Sequence, residues 1–343
     1  MTRLARLRGD SWRHASLLLV LVVAVIGALG WRRGWIWIRG IYDIVTLILP
    51  GGLGLIALRA LLSRRRGLAG GNFALATALG LLRVWSSHVE LEWLAVRRAA
   101  IETPKVGRTV RILHLSDVQA MHVGGHEARV FGKVRDLHPD LLLYTGDLVQ
   151  TRTRAEFPDE LSRMAPLLAS VEPPLGKIAV FGDTDRALRG TSLRERGGLE
   201  LLEGACYVPL PGGGRIALLG LTLRESRADV RALVRAWLST LGRCDVGIVL
   251  GHAPDYAMAL VDEPVDLLLA GHTHGGQVRI PFLGPPHIAS GVPRAWSRGF
   301  RSIGRPYLNV SAGAGAEHAF GLPCIRFNCP TEMTLLELRP AEQ

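Results

Sequence analysis

The heptad Gly271-His272-Thr273-His274-Gly275-Gly276-Gln277 follows directly on an apolar run, residues 265–270. That run, Val-Asp-Leu-Leu-Leu-Ala, has the length and composition of a short buried strand, and glycine bounds it. Side chains two residues apart in an extended chain point to the same side. His272 and His274 therefore project together from the strand's end. The flanking glycines let the backbone turn sharply and come close to a ligand. Two imidazoles side by side make half a metal site. The bland alternative is a pair of solvated loop histidines. What the other strands end in decides between the two.

Upstream, residues 110–116 read as an apolar strand that ends at Asp117, and residues 127–137 have helical spacing. Residues 141–144 are a second buried strand, running into Thr145-Gly146-Asp147, and 161–169 are helical. Residues 178–181 form a third strand that ends in Gly182-Asp183-Thr184-Asp185. A strand at 216–221, a helix at 229–241 and a strand at 246–250 follow, the last ending in Gly251-His252. An Asp after one strand can be a simple turn or cap residue. Metal-binding residues after five strands are a pattern. Alternating strands and helices imply a largely parallel α/β sheet, in which ligands gather at the carboxyl ends of the strands. Beyond Gln277, residues 278–280, 307–311, 325–328 and 333–338 read as strands with no helices between them. They predict a second, more antiparallel sheet packed on the first.

The formal charge of +11 is unevenly spread. Residues 1–100 carry 14 Arg, no Lys and 4 acids, a net of +10; residues 101–343 carry 27 basic residues and 26 acids, a net of +1. A nucleic-acid reader concentrates its excess on the folded domain, so this distribution argues against a nucleic-acid partner. Arginines beside apolar runs are the pattern of membrane-flanking segments. Residues 15–30 are apolar and uncharged, residues 41–62 form a second run interrupted by Asp43 and Pro50, and residues 68–85 form a weaker third. The expectation is a multi-pass membrane region over 1–88 with two to three transmembrane helices. A linker or edge strand over 89–104 and a catalytic domain over 105–340 follow. Arginines flank every span end, so the sequence does not set the side on which the domain lies. Cys206, Cys244, Cys324 and Cys329 fit no zinc-ribbon or CxxC spacing and read as buried thiols, with pairing of Cys324 and Cys329 left open.

Taken in order, Asp117-x-Gln119, Gly146-Asp147, Gly182-Asp183-x-Asp185, Gly251-His252 and Gly271-His272-Thr273-His274 closely resemble the motifs of the calcineurin-like metallophosphoesterases. The heptad followed by Ile280-Pro281-Phe282-Leu283-Gly284 is similar to a membrane-associated bacterial branch, which includes phosphodiesterase-like proteins and relatives of the UDP-diacylglucosamine pyrophosphatases. The resemblance spans roughly residues 105–340 and leaves out the membrane region. It implies an αββα sandwich with a centre of two divalent ions, where Mn is favoured and Mg, Fe or Zn are alternatives. It also implies ligands. Asp117, Gln119, Asp147 and His274 would hold one ion; Asp147 would bridge to the other, held also by Asp183, His252 and His272. Such a centre clamps a phosphoryl group and activates water.

Two departures bear on activity. Gln119 stands where the family usually has His, and Asp183-Thr184 stands where it usually has Asn-His. Thr184 cannot act as the proton donor that the family histidine provides. His122 and His126, in the loop after the first ligand strand, are the candidates to stand in, with solvated histidines as the plainer reading. The expected function is a membrane-anchored phosphodiester or pyrophosphate hydrolase acting on a phosphorylated small molecule or lipid. The alternative is a metal-binding pseudoenzyme that serves as a membrane scaffold or sensor.

Overall fold

The computed structural model describes residues 34–185, 193–211, 213–318 and 324–341. The chain divides into two compact units, residues 1–90 and 91–343. The apolar run at 15–30 lies outside the described residues.

In the first unit, α1 (Ile36–Leu62) and α2 (Arg66–Glu92) are each 27 residues long. At 1.5 Å per residue each reaches about 40 Å, more than a bilayer's hydrocarbon core. By length and composition, both are able to cross a membrane. Pro50 has no N–H to give, and a π-helical turn, Ile44–Ile48, precedes it in α1. Asp43 is not left bare among the apolar residues: Arg39 Nε donates to it at 2.9 Å and Arg83 pairs with its other oxygen. Leu55, Leu62 and Phe73 point outward and are exposed.

The second unit is a mixed α/β sandwich of two six-stranded sheets. In one sheet lie, in spatial order, β1 (Leu94–Thr103), β12 (Thr331–Pro340), β2 (Val110–Leu115), β3 (Leu141–Tyr144), β4 (Lys177–Ala179) and β5 (Leu199–Leu201). The other runs β10 (Gly299–Ser302), β11 (Tyr307–Val310), β9 (Leu267–Ala270), β8 (Asp245–Leu250), β7 (Arg215–Gly220) and β6 (Gly204–Pro209). Strand periodicity makes the layers. Ile112, Leu141 and Leu143 face Ile216, Ile248 and Leu267 across the sandwich. Leu113, Leu142 and Tyr144 point the other way and pack under α3 (Gly125–Asp136) and α4 (Phe157–Ala169). Ala217, Val249 and Leu268 do the same for α6 (Arg231–Leu238), the helix that follows the short α5 (Leu193–Gly197).

The partition between sheets differs from the sequence expectation. The C-terminal strands do not form a sheet of their own. β11 extends β9 in parallel, and β12 lies in the first sheet between β1 and β2. The reason lies in burial: Met333 and Leu335 pack on the helical side and Leu336 and Leu338 between the sheets, so β12 is apolar on both faces and belongs in a sheet's interior. Residues 278–280 and 325–328 are not strands; a single bridge joins Val278 to Phe327. The cysteines are not uniformly buried either: Cys329 is, but Cys244 lies on the surface.

Candidate metal centre

β2, β3 and β4 run parallel, so Asp117, Asp147 and Asp183 lie beyond the same ends of neighbouring strands. β8 and β9 are also parallel and bring His252 and His272 to their own carboxyl ends. The carboxylates thus come from one sheet and the imidazoles from the other. Ligand atoms of Asp117, Asp147 and His252 lie within 4.8 Å of one another, as do those of Asp183, His252 and His272. His252 belongs to both groups. His274 Nε2 lies 3.4 Å from Asp117 Oδ1.

The imidazoles are held with one nitrogen committed and the other facing the carboxylates. His252 Nδ1 donates to the Thr145 carbonyl at 2.7 Å, which turns Nε2 toward Asp147 and Asp183, 3.5 and 3.6 Å away. His272 Nε2 donates to the Ala289 carbonyl at 2.8 Å and leaves Nδ1 3.1 Å from Asp183. This is how outer partners fix the tautomer of a metal-binding histidine. The loops are equally fixed. Asp185 accepts from the N–H groups of Asp147, Leu148 and Gly182 and so joins two strand ends. Asp147 Oδ1 accepts from Thr184 N at 2.8 Å.

Backbone conformation sets this region apart. Asp117, Gln119, Asp147, His272 and His274 all have positive φ, between 43° and 65°. Outside glycine that region costs energy, of order 1–3 kcal/mol per residue where it is strained. Half of the ten such residues in the described chain are in this one cluster. Close approach needs glycine as well: a Cβ at Gly182 would meet the Asp147 carboxylate, and one at Gly271 would meet Ser116 and Asp117.

Burial of so many ionisable groups shifts them. Burial pushes Asp117 up to about 7, against His252 and with the help of Asp147. Burial disfavours charge on His252, but Asp147, Asp183 and Asp117 outweigh it and hold the ring up to about 10. Burial also opposes ionisation of Asp183, yet the adjacent His252 and His272 rings pull it below the usual range. His274 goes the other way: burial, and then the Arg326 guanidinium, keep it neutral. The signs give a pH dependence. A raised His252 adds stability that is complete below 6.5 and lost as pH rises toward 10; a raised Asp117 adds stability that is lost between 3.8 and about 7. In metal-free protein the thermal midpoint should therefore fall as pH rises from 7 toward 10. Divalent cations displace these same protons, so their stabilising effect should grow over that window. Thermal melts in chelator and in Mn2+ at several pH values check this. A metal-free midpoint that holds constant, or a slope unchanged in His252→Gln, would refute it.

Gln119 and Thr184 lie at the cluster. Gln119 directs its amide nitrogen to Asp147 Oδ2 at 2.9 Å and to Glu317 at 3.1 Å, and its oxygen is buried without a partner. The structure directs the two loop histidines elsewhere. His122, largely exposed, pairs with Glu160 at 3.2 Å, and His126 Nε2 donates to the Ala314 carbonyl. Two residues that the sequence did not single out do reach the cluster. Arg227 Nη2 donates to Asp183 Oδ2 at 2.6 Å and sits half-exposed at its edge. Glu317 joins Gln119 to Gln150, and burial raises its pKa. Arg227 comes after β7 and Glu317 after β11, but each lies several residues beyond its strand's end.

The donor set fits divalent ions on its own geometry. The Nε2 atoms of His252 and His274 and the Oε1 atom of Gln119 are buried with no partner, and a buried polar atom without a partner is costly. They stand beside the carboxylates of Asp117, Asp147 and Asp183. Comparison with known proteins agrees. A profile for calcineurin-like phosphoesterases matches residues 110–276. The uncharacterised metallophosphoesterase YkuE of Bacillus subtilis is 31% identical over 215 residues, 60% of this chain and 70% of that protein. The chain belongs to the calcineurin-like phosphoesterase family. Phosphodiesterase YaeI of Escherichia coli is 31% identical over 208 residues, 58% of this chain and 70% of its own. UDP-2,3-diacylglucosamine pyrophosphatase LpxG of Chlamydia trachomatis is 26% identical over 313 residues, 74% of this chain and 92% of its own. Calcineurin-like phosphoesterases bind divalent metals, and the two ligand groups here are candidates to hold them.

Proposed function

We propose that the protein is a membrane-anchored, metal-dependent hydrolase of phosphodiester or pyrophosphate bonds, with a lipid-linked substrate. The observation that carries the reading is the pair of buried, partnerless nitrogens, His252 Nε2 and His274 Nε2, set against Asp117, Asp147 and Asp183. Asp117, Gln119, Asp147 and His274 hold one ion; Asp183, His252 and His272 hold the second, with Asp147 shared. Gln119 ligates through oxygen by turning its amide over. Mixed carboxylate, amide and imidazole ligands favour Mn. When bound, two such ions polarise a phosphoryl oxygen and lower the pKa of water.

The chain's own residues do the rest. The Thr145 and Ala289 carbonyls keep the two imidazoles oriented. Arg227, half-exposed at the edge of the cluster beside Asp183, is the guanidinium that would receive phosphoryl oxygens. A groove of about 680 Å³ opens beside Asp183 and Thr184, and Arg152 and Arg154 line it. That is room for a substrate of nucleotide size, with cationic groups for a second phosphate. Similarity to LpxG supports a pyrophosphate on a lipid, and α1 and α2 support a site kept at a bilayer.

Full-length protein in detergent, assayed with each divalent metal on pyrophosphate-linked and aryl phosphodiester substrates, tests the reading. Hydrolysis should depend on Mn2+ and stop with chelator, and the chain should stay in the membrane pellet through carbonate washing. Release by salt alone would remove the anchor from the proposal. Thr184 in place of the family histidine favours a second reading, a metal-binding scaffold. Bound metal with no turnover of any substrate would select it.

A further inference from the structure

Beyond the heptad, the chain makes a tight loop whose tip is apolar. Ile280 and Gly284 exchange backbone hydrogen bonds at 2.9 Å each way, so the loop is closed at its base. Phe282 stands at the tip, 108% exposed, with Leu283 at 68% beside it. Phe282 also has φ +66°. A bulky aromatic side chain is among the least suited to that region, where glycine or asparagine would sit without strain. Nothing in the fold of this unit rewards a phenylalanine there. A use outside the unit would.

The walls beside the tip are cationic. A groove of about 440 Å³ runs along the loop, lined by Arg279, Arg294 and Arg298, and no acidic side chain is among the described residues that line it. Arg279 is fixed, donating to the Gly275 carbonyl at 2.8 Å and to Ser297 Oγ at 3.0 Å. Gly275 belongs to the His272–Gln277 segment, so the groove backs directly on the candidate metal centre.

We infer that this loop and groove form a bilayer-docking surface, in which Phe282 and Leu283 enter the interfacial region and the arginines receive the phosphates of anionic lipid headgroups. Two exposed apolar side chains are far too little for a protein interface, which needs roughly 800 Å² from each partner. An aromatic and a leucine flanked by arginines are the composition that suits a membrane surface. The inference does not require hydrolysis, since an inert chain would dock in the same way. It is also distinct from anchoring by the helices, because it predicts which face of this unit meets lipid.

The test uses the full chain reconstituted in liposomes, with a photoactivatable benzophenone amino acid replacing Phe282. A second preparation carries it at Leu233 on α6, another exposed apolar position. In vesicles containing phosphatidylglycerol, position 282 should give lipid adducts several-fold above position 233 and several-fold above its own yield in phosphatidylcholine alone. Arg294→Ala with Arg298→Ala should lower that yield several-fold while bound metal stays unchanged. Adducts at 282 no more frequent than at 233, adducts indifferent to headgroup charge or to the arginine substitutions, or crosslinks to polypeptide in place of lipid would each overturn the docking surface.

Discussion

Asp147→Ala should strip the protein of both divalent ions and lower turnover by at least about 10³-fold. The size follows from its position. Asp147 lies in one ligand group with Asp117 and His252, and its two oxygens also accept from Thr184 N and Gln119 Nε2. Removing the carboxylate therefore leaves two donors without a partner and the proposed ions without their shared ligand. The residue has φ +62°, which alanine tolerates poorly, so misfolding must be told apart from loss of metal. Asp147→Asn settles that. Asparagine accepts the left-handed conformation and keeps an amide oxygen, but loses the charge. It should fold, retain less than half the metal and remain nearly inactive. Elemental analysis beside thermal melts reads both quantities. Full metal content in a folded Asp147→Asn protein would rule out the shared-ligand arrangement.

Thr184→His should raise the turnover of alkyl phosphodiesters by roughly 10²-fold, and of pyrophosphates by much less, because general acid catalysis helps basic leaving groups most. Thr184 offers only a backbone N–H, already bound to Asp147, and a buried hydroxyl with no partner. The adjoining groove has space for an imidazole. Neither His122, tied to Glu160, nor His126, tied to Ala314, is placed to replace that acid. The proposed pyrophosphate substrate, whose leaving group is itself a phosphate, would do without that acid. The gain on alkyl esters should follow a basic limb in the pH profile that the wild type lacks. Equal gains on both substrate classes, or none while both ions stay bound, would show that position 184 does not face the leaving group.

What the sequence revealed followed from burial. β3 and β9 are buried on both faces and read as unbroken apolar runs, and β2 and β8 are apolar but for Arg111, His114 and Asp245, so they and the polar residues after them could be located. β5 (Leu-Glu-Leu) and β10 (Gly-Phe-Arg-Ser) are short and carry no apolar run, and β1 alternates weakly around Arg97 and Arg98. The division of strands between sheets was illegible because β12 joins β2 across more than 200 residues, and no local pattern carries such a pairing. Asp147, Asp183, His252 and His272 were visible because a glycine precedes each at a strand's end. Arg227 and Glu317 were not, being single charged residues of common type whose role depends on where their loops close.

The supply of carboxylates by one sheet and imidazoles by the other has a mechanical consequence. Between the sheets lies a largely apolar seam, Ile112, Leu141 and Leu143 against Ile216, Ile248 and Leu267, with the buried His114–Asn309 hydrogen bond among its polar links, and apolar contacts resist sliding weakly because they have no preferred direction. A cation held by ligands from both sides acts as a rivet at one end of that seam. Loading the centre should therefore stiffen the sandwich against shear as a whole, and a small slip of one sheet on the other would change the spacing of the ligands before any of them left its place. In such a protein, the stiffness of the seam is part of what selects the ion.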